Sequence, residues 1–283
     1  MAARNSWLRG GVALVTGAAS GIGAALAQSL ARRGMDLALA DRNADGLAAT
    51  AQAVSGVGVR SSVHRIDLAD RAAIAALPAQ VLDSHGRLNV LVNNAGVAVG
   101  GSFLQVDESD FDRLMAVNFE AVVRLTRAFL PVLQKEPAAQ LVNISSIFGI
   151  VAPPGQTAYC ASKFAVRGFS ESLRHELAVA GSPVGVTVVH PGGVRTAIAE
   201  NATPPRDVTP ELLARQKQVW ERMLKMPAAE AGEIVARGIE QRALRVLVGD
   251  DARQAAFLQR LFPVGYWRFM AAEIRRRTGG VGV

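Results

Sequence analysis

The chain has 283 residues, half of them hydrophobic and 19% charged, a composition that buries a sizeable core and excludes a disordered polymer. Its net charge is +7, which raises nucleic acid or an acidic surface as partners. However, 27 of the 31 basic residues are arginines spread through an alanine-rich sequence, without the aromatic interleaving of a base-stacking surface, so no nucleic acid is expected.

"GVALVTG" at 11–17 reads as a buried strand closing on glycine, and 22–33 places Ile22, Leu26 and Leu30 at helical spacing. Six further strands are predicted: "DLALADR" (36–42), "SVHRID" (62–67), "LNVLVNNAG" (88–96), "AQLVNISS" (139–146), "GVTVVHPGG" (185–193) and "LRVLVGD" (244–250). Helices are predicted at 44–54, 70–85, 107–134, 157–180 and 228–241. Strands that are apolar along nearly their whole length and alternate with helices are covered on both faces. The expected fold class is α/β, a doubly wound, mostly parallel seven-stranded sheet with helices on both faces. No linker or repeat divides it. Residues 1–250 therefore read as one domain that includes a lid at about 197–226, followed by a helical extension at 251–283.

No apolar run reaches the roughly 18 residues of a membrane span, and "MAARNSWLRGG" lacks the apolar stretch of a signal peptide, so the expected location is the cytoplasm. The single cysteine, Cys160, excludes an internal disulfide and reads as a small buried filler. The four histidines have no ligand spacing, and no metal is expected.

Ligands of an open parallel sheet bind beyond the carboxyl ends of its strands, where the glycine and polar clusters fall. "TGAASGIG" (16–23) follows the first strand and opens a helix. Gly17, Gly21 and Gly23 allow a tight turn and close approach to a pyrophosphate, and the helix N-terminus offers free N–H groups. Asp41 ends the second strand, 18 residues beyond Gly23. A carboxylate there accepts hydrogen bonds from a ribose diol and repels a 2′-phosphate, which favours NAD, while Arg42 beside it leaves NADP possible. Asp67 closes the third strand, where it either faces an adenine amino group or caps the next helix. In "NNAG" (93–96), the asparagines suit a turn that ties neighbouring strands. Asn118 falls within the apolar face of its helix, so backbone groups or ordered water must satisfy its amide. In "YCASK" (159–163), Tyr159 and Lys163 are four apart on one helix face. A cation beside a phenol favours the phenolate and suits the tyrosine to acid/base work; the alternative is a half-buried Tyr beside a solvated Lys.

Together, "TGAASGIG", "NNAG", "YCASK" and "PGGVRT" resemble the short-chain dehydrogenase/reductase family, from about residue 10 to 196. The resemblance implies a Rossmann fold and a hydride-transferring oxidoreductase using NAD, with NADP possible. It implies Tyr159 as general acid/base, Lys163 on the nicotinamide ribose and lowering the tyrosine's pKa, and a serine on the substrate oxygen. Of Ser145 and Ser146, the family's 13-residue spacing to the tyrosine selects Ser146. Asn118 matches the asparagine whose main chain holds a relay water. The cofactor set it implies is Gly17, Ser20, Gly21, Ile22, Gly23, Asp41, Arg42, Asp67, Leu68, Asn94, Ala95, Gly96, Tyr159, Lys163, Pro191, Gly192, Val194 and Thr196. Pro191 and Gly192 would shape the nicotinamide pocket, Val194 would offer backbone groups to the carboxamide, and Thr196 its hydroxyl. His190 stands where many relatives have asparagine, a departure read as neutral for catalysis.

Ile198, Leu212, Leu213, Val219, Trp220, Met223, Leu224 and Met226 make the lid apolar, which suits an apolar secondary alcohol or ketone. Other readings are an NADPH-dependent ketone or 3-oxoacyl reductase, and a nucleotide-binding protein without turnover. A homodimer or homotetramer is expected. Residues 257–270, "FLQRLFPVGYWRFM", hold five of the fifteen aromatics, with arginines around them. This tail either covers the cleft, meets another subunit or, less favoured, lets 257–277 touch a membrane surface.

Overall fold

The computed structural model describes residues 6–278. Seven strands form one sheet: β1 (Val12–Thr16), β2 (Asp36–Asp41), β3 (Ser61–Arg65), β4 (Val90–Asn93), β5 (Ala139–Ile144), β6 (Val184–Pro191) and β7 (Arg245–Val248). Their order is β3-β2-β1-β4-β5-β6-β7, and every neighbouring pair is parallel. The chain reverses direction across the sheet between β1 and β4, and this switch point opens a crevice at the carboxyl edge.

Burial on both faces explains the unbroken apolar strands. Along β1, Ala13 and Val15 enter one core, while Val12 and Leu14 enter the other. The first core is closed by α1 (Gly21–Arg32), α2 (Ala44–Ser55) and α9 (Ala228–Glu240). The second is closed by α3 (Arg71–His85), α5 (Ala121–Leu133) and α6 (Thr157–Val179).

The helix expected at 107–134 is interrupted. α4 (Glu108–Met115) passes into a π turn, Ala116–Glu120, before α5 begins. The wide turn carries Asn118, and π turns of this kind cluster at functional sites. The segment expected to form a lid contains the short α7 (Ala197–Glu200) and the longer α8 (Pro210–Met223). Beyond β7 come α10 (Asp250–Leu261) and α11 (Tyr266–Thr278). No helix among the described residues is long and apolar enough to cross a membrane.

Candidate active site

The carboxyl edge of the sheet opens into a cleft of about 1720 Å³. Every expected cofactor residue lines it except Gly23, and Asn118 lies behind its wall. At one end, Gly17 turns with φ +67°, and a Cβ there would meet Asn94 Nδ2 at 2.7 Å and Ala95 Cα at 2.8 Å. Gly23 serves the tightness of the turn from behind the cleft surface. It is buried, and a Cβ on it would stand 2.1 Å from the Gly17 carbonyl oxygen, so it lets α1 sit directly against the loop. Ser20 precedes α1 in extended conformation and makes no capping bond. The first amides of a 12-residue helix therefore face the cleft without a side-chain partner, an arrangement suited to a pyrophosphate.

Asp41 reaches back to this loop: Oδ2 accepts from the Ala19 amide at 3.2 Å, and Oδ1 accepts from the Asn43 amide at 3.0 Å. These bonds hold the carboxylate in the cleft wall, with Arg42 exposed beside it. Asp67 accepts from the Ala69 amide and from Arg113, which together hold its carboxyl below the usual range. It does not cap α3; Asp70 does, accepting from Ala72 and Ala73. Asn94 donates to the carbonyls of Thr16 at 2.8 Å and Gly17 at 3.3 Å, while Thr16 Oγ1 accepts from the amides of Asn94 and Ala95. Asn93 donates to Asn143 Oδ1 at 2.8 Å. The "NNAG" turn thus ties β1, β4 and β5 together beneath the cleft. Thr16, the polar last residue of an apolar strand, was a legible but missed member of this knot.

Tyr159 lies in the first turn of α6 and Lys163 one turn on, with Nζ 5.6 Å from the phenol ring centroid. Phe148 packs edge-on against the tyrosine. Lys163 is 3% exposed and donates to the Ile144 carbonyl at 3.1 Å. The expected lowering of the phenol by the ammonium is not what the chain alone produces. Although the ring is half-buried by area, its surroundings exclude enough water to push Tyr159 up to about 12, with the Ser146 hydroxyl opposing. Burial draws Lys163 down to about 8. The lysine therefore loses its proton first, and its field is gone before the phenol titrates. Burial also raises the Cys160 thiol to about 11, consistent with an inert filler.

The two serines separate cleanly. Ser145 donates to the Lys163 carbonyl at 2.8 Å and is spent on holding α6. Ser146 Oγ accepts from the Phe148 amide at 3.1 Å and stays beside the phenol on the cleft wall. Asn118 is fully buried and satisfied by protein groups. Its Oδ1 accepts from the Val97 amide at 2.8 Å, and its Nδ2 donates to the Val97 carbonyl at 3.0 Å and Ser162 Oγ at 3.2 Å. This clamp fixes the chain leaving β4 against the π turn.

The far wall starts at the end of β6, where Pro191, Gly192, Val194 and Thr196 line the cleft. The Val194 amide donates to the Gly192 carbonyl, and Thr196 faces Gly21 across the opening. Asp251, outside the expected set, shapes this loop by accepting from the Gly193 amide at 2.6 Å, and a Cβ on Gly192 would collide with its carboxylate. Its place beside "GD" after the last strand was the available signal. Of the apolar residues expected in a lid, Ile198, Leu212, Val219, Met223, Leu224 and Met226 line the cleft, Leu213 does not, and the Trp220 side chain lies outside the described residues. The tail adds Leu258, Trp267 and Met270. It is fastened by Tyr266, whose hydroxyl accepts from the Ala152 amide at 2.9 Å. Phe269 also borders the cleft, half-open to solvent, and the tail leaves Phe257, Leu261, Phe262 and Val264 exposed. Among the described residues, no group of three or more metal-ligating side chains gathers.

This fold, with a glycine turn against an uncapped helix and a Tyr–Lys pair in one cleft, defines a nucleotide-binding enzyme of the dehydrogenase kind. The family model for short chain dehydrogenases matches residues 11–207, and the chain belongs to that family of oxidoreductases. SadH of Mycobacterium tuberculosis, which carries an oxidoreductase name, is 40% identical over 272 residues, covering 96% of this chain and 98% of that protein. Oxidoreductase UcpA of Salmonella typhimurium is 38% identical over 233 residues, covering 81% and 87%. A short-chain dehydrogenase/reductase of Burkholderia phymatum, solved with NAD, superposes with a TM-score of 0.82 at 31% identity, covering 90% of this chain and 94% of that one. A metagenomic short-chain oxidoreductase solved with NADP gives a TM-score of 0.68 at 33% identity, with 85% and 97% covered.

Proposed function

We propose that the protein is an NAD-dependent dehydrogenase that interconverts apolar secondary alcohols and ketones, with Tyr159 as general acid/base. The observation that carries this reading is the convergence of the Tyr159 phenol, the Ser146 hydroxyl and the Lys163 ammonium on one cleft. The uncapped N-terminus of α1 and the glycine turn fit a pyrophosphate, and Asp41 fits a ribose diol. Gly96, the lysine side and the loop from Pro191 to Thr196 would hold the nicotinamide half. When bound, the nicotinamide supplies or accepts the hydride.

The chain's own residues handle the oxygen. In ketone reduction, Ser146 donates a hydrogen bond to the carbonyl oxygen, and Tyr159 gives it a proton. A phenol near 12 carries that proton throughout the physiological range. In alcohol oxidation, Tyr159 must take up the hydroxyl proton, so the positive charge of Lys163, retained below about pH 8, favours the phenolate where it is needed. Asn118 spends its side chain on Val97 and Ser162, so a relay water would have to be held by its main chain in the π turn. Phe148, Leu212, Met223, Leu258, Trp267 and Met270 support an apolar substrate.

Tyr159→Phe tests the mechanism. Turnover of an apolar secondary alcohol is expected to fall about 10²–10⁴-fold, with NAD affinity unchanged. Equal turnover by the variant refutes the role of the phenol. An NADPH-dependent reductase, including one for 3-oxoacyl groups, is the second reading. It draws on exposed Arg42, on the NADP-bound neighbour, and on the 3-oxoacyl-[acyl-carrier-protein] reductase FabG of Thermotoga maritima, 34% identical over 193 residues. Dissociation constants for NADH and NADPH distinguish the two: tighter NADH binding, reversed by Asp41→Ala, is the expected result.

A further inference from the structure

We propose that His190 is a positioning residue for Ser146, holding its carbonyl where the β5–β6 ladder ends. The inference rests on the reading of Ser146 as the group on the substrate oxygen.

The parallel ladder pairs Ala139 with Val184 and continues to Ile144 opposite Val189. One more main-chain bond follows, from the Ser145 amide to the Val189 carbonyl at 2.8 Å. There β5 leaves the sheet and enters a 3-10 turn, Ile147–Gly149. The next link to β6 is a side chain: His190 Nδ1 lies 2.9 Å from the Ser146 carbonyl oxygen. A carbonyl only accepts, so Nδ1 carries the proton and the tautomer is defined. The same oxygen also accepts from the Gly149 amide at 2.9 Å, so both of its lone pairs are engaged.

Ser146 is thereby pinned at its carbonyl from two sides, while its Oγ accepts from the Phe148 amide. The hydroxyl proton alone is left for donation toward the phenol and the substrate. The histidine is fully buried, and its Nε2 has no hydrogen-bond partner among the described residues. Burial pushes it down to about 4, against the Ser146 bond and with Arg245, Arg167 and Glu171 as the charged groups around it. At assay pH it is a neutral donor with one polar contact, and that contact is to the candidate catalytic serine. A misplacement of 1 Å near the reacting atoms costs on the order of 10²-fold in rate, so a single orienting bond is enough to matter.

The test uses the full-length protein and side chains that keep or move the donor. Asparagine puts its Nδ2 where the histidine Nδ1 sits, glutamine reaches instead toward the Nε2 position, and leucine has no donor. His190→Asn is expected to stay within about 3-fold of the parent, while His190→Gln and His190→Leu lose about 10–100-fold in kcat. NAD affinity and KM should stay within about 3-fold in all three. Equal activity of the Asn and Gln variants, or losses that follow Tm or NAD affinity instead of the donor, overturns the proposal. Ser146→Ala in the same assay separates the two levels. If that variant is fully active, the serine's role fails, and with it the positioning role. If it is impaired while His190→Gln is intact, only the role of His190 fails. Should the Gln and Leu variants not fold, nitrogen-15 NMR of labelled histidine decides: a protonated Nδ1 supports the bond, and a protonated Nε2 overturns it.

Discussion

Lys163 is expected to cost the folded protein stability at neutral pH. It is 3% exposed, its ammonium has one described protein acceptor, the Ile144 carbonyl, and burial brings its pKa from 10.5 down to about 8. The unfolded chain keeps the same lysine protonated to about pH 10.4. Between the two values the unfolded state binds more protons, so this group makes the fold more stable as pH rises from 8 to 10.5. Below pH 8 the whole penalty is present, on the order of 3 kcal/mol for a shift of this size. Lys163→Met keeps most of the buried stem, removes the charge and gives up a hydrogen bond worth about 1 kcal/mol. The net expected gain at pH 7 is about 2 kcal/mol, a rise in Tm of about 3–4 °C for a chain of this length. At pH 10.5 the gain should vanish or reverse, because the parent lysine is then neutral when folded. Scanning calorimetry of the cofactor-free protein at the two pH values measures both numbers, and turnover is expected to be lost in the variant at each. A lower Tm at pH 7, or a difference independent of pH, refutes the desolvation argument. Stability given up to hold a functional charge is a common trade-off in enzymes.

Gly23→Ala drives a methyl to 2.1 Å from the Gly17 carbonyl. The loop must shift, and nucleotide titration should show at least about a 10-fold loss of NAD affinity. The neighbouring serines should differ in turnover. Ser145→Ala removes a buried bond to the Lys163 carbonyl and costs about 1–2 kcal/mol of stability by denaturant titration, whereas Ser146→Ala gives up the cap on the Phe148 amide, at about 1 kcal/mol, and in addition lowers turnover about 10²-fold. Exposed Phe257, Leu261 and Val264 on the tail lead us to expect a dimer or tetramer by light scattering; a monomer at micromolar concentration counts against that expectation.

The features legible in the sequence are the local ones. Strand runs, helix periods, the glycine turn and the one-turn spacing of Tyr159 and Lys163 depend on neighbours within a few residues. The structure keeps all seven strands and brings the expected residues other than Gly23 and Asn118 to one cleft. The interrupted helix at Asn118 was not legible, because the residues around it are ordinary helix formers and the clamp comes from Val97, 21 positions away. At Gly23 the glycine pattern shows that a Cβ is unwelcome without showing what would meet it. In the structure that atom is the Gly17 carbonyl.

By itself, then, the sequence determined the alternation of strands and helices, the parallel sheet and the residue types at its carboxyl edge, since these follow from periodicity and backbone geometry. Tertiary structure alone decided what Ser145 is spent on, what satisfies Asn118, and how Asp251, Tyr266 and His190 hold the cleft walls. Those contacts join residues separated by 58, 114 and 44 positions. It also decided the order in which the phenol and the ammonium titrate. Spacing brings the two side chains together, but the exclusion of water that shifts both of them comes from the whole packed chain.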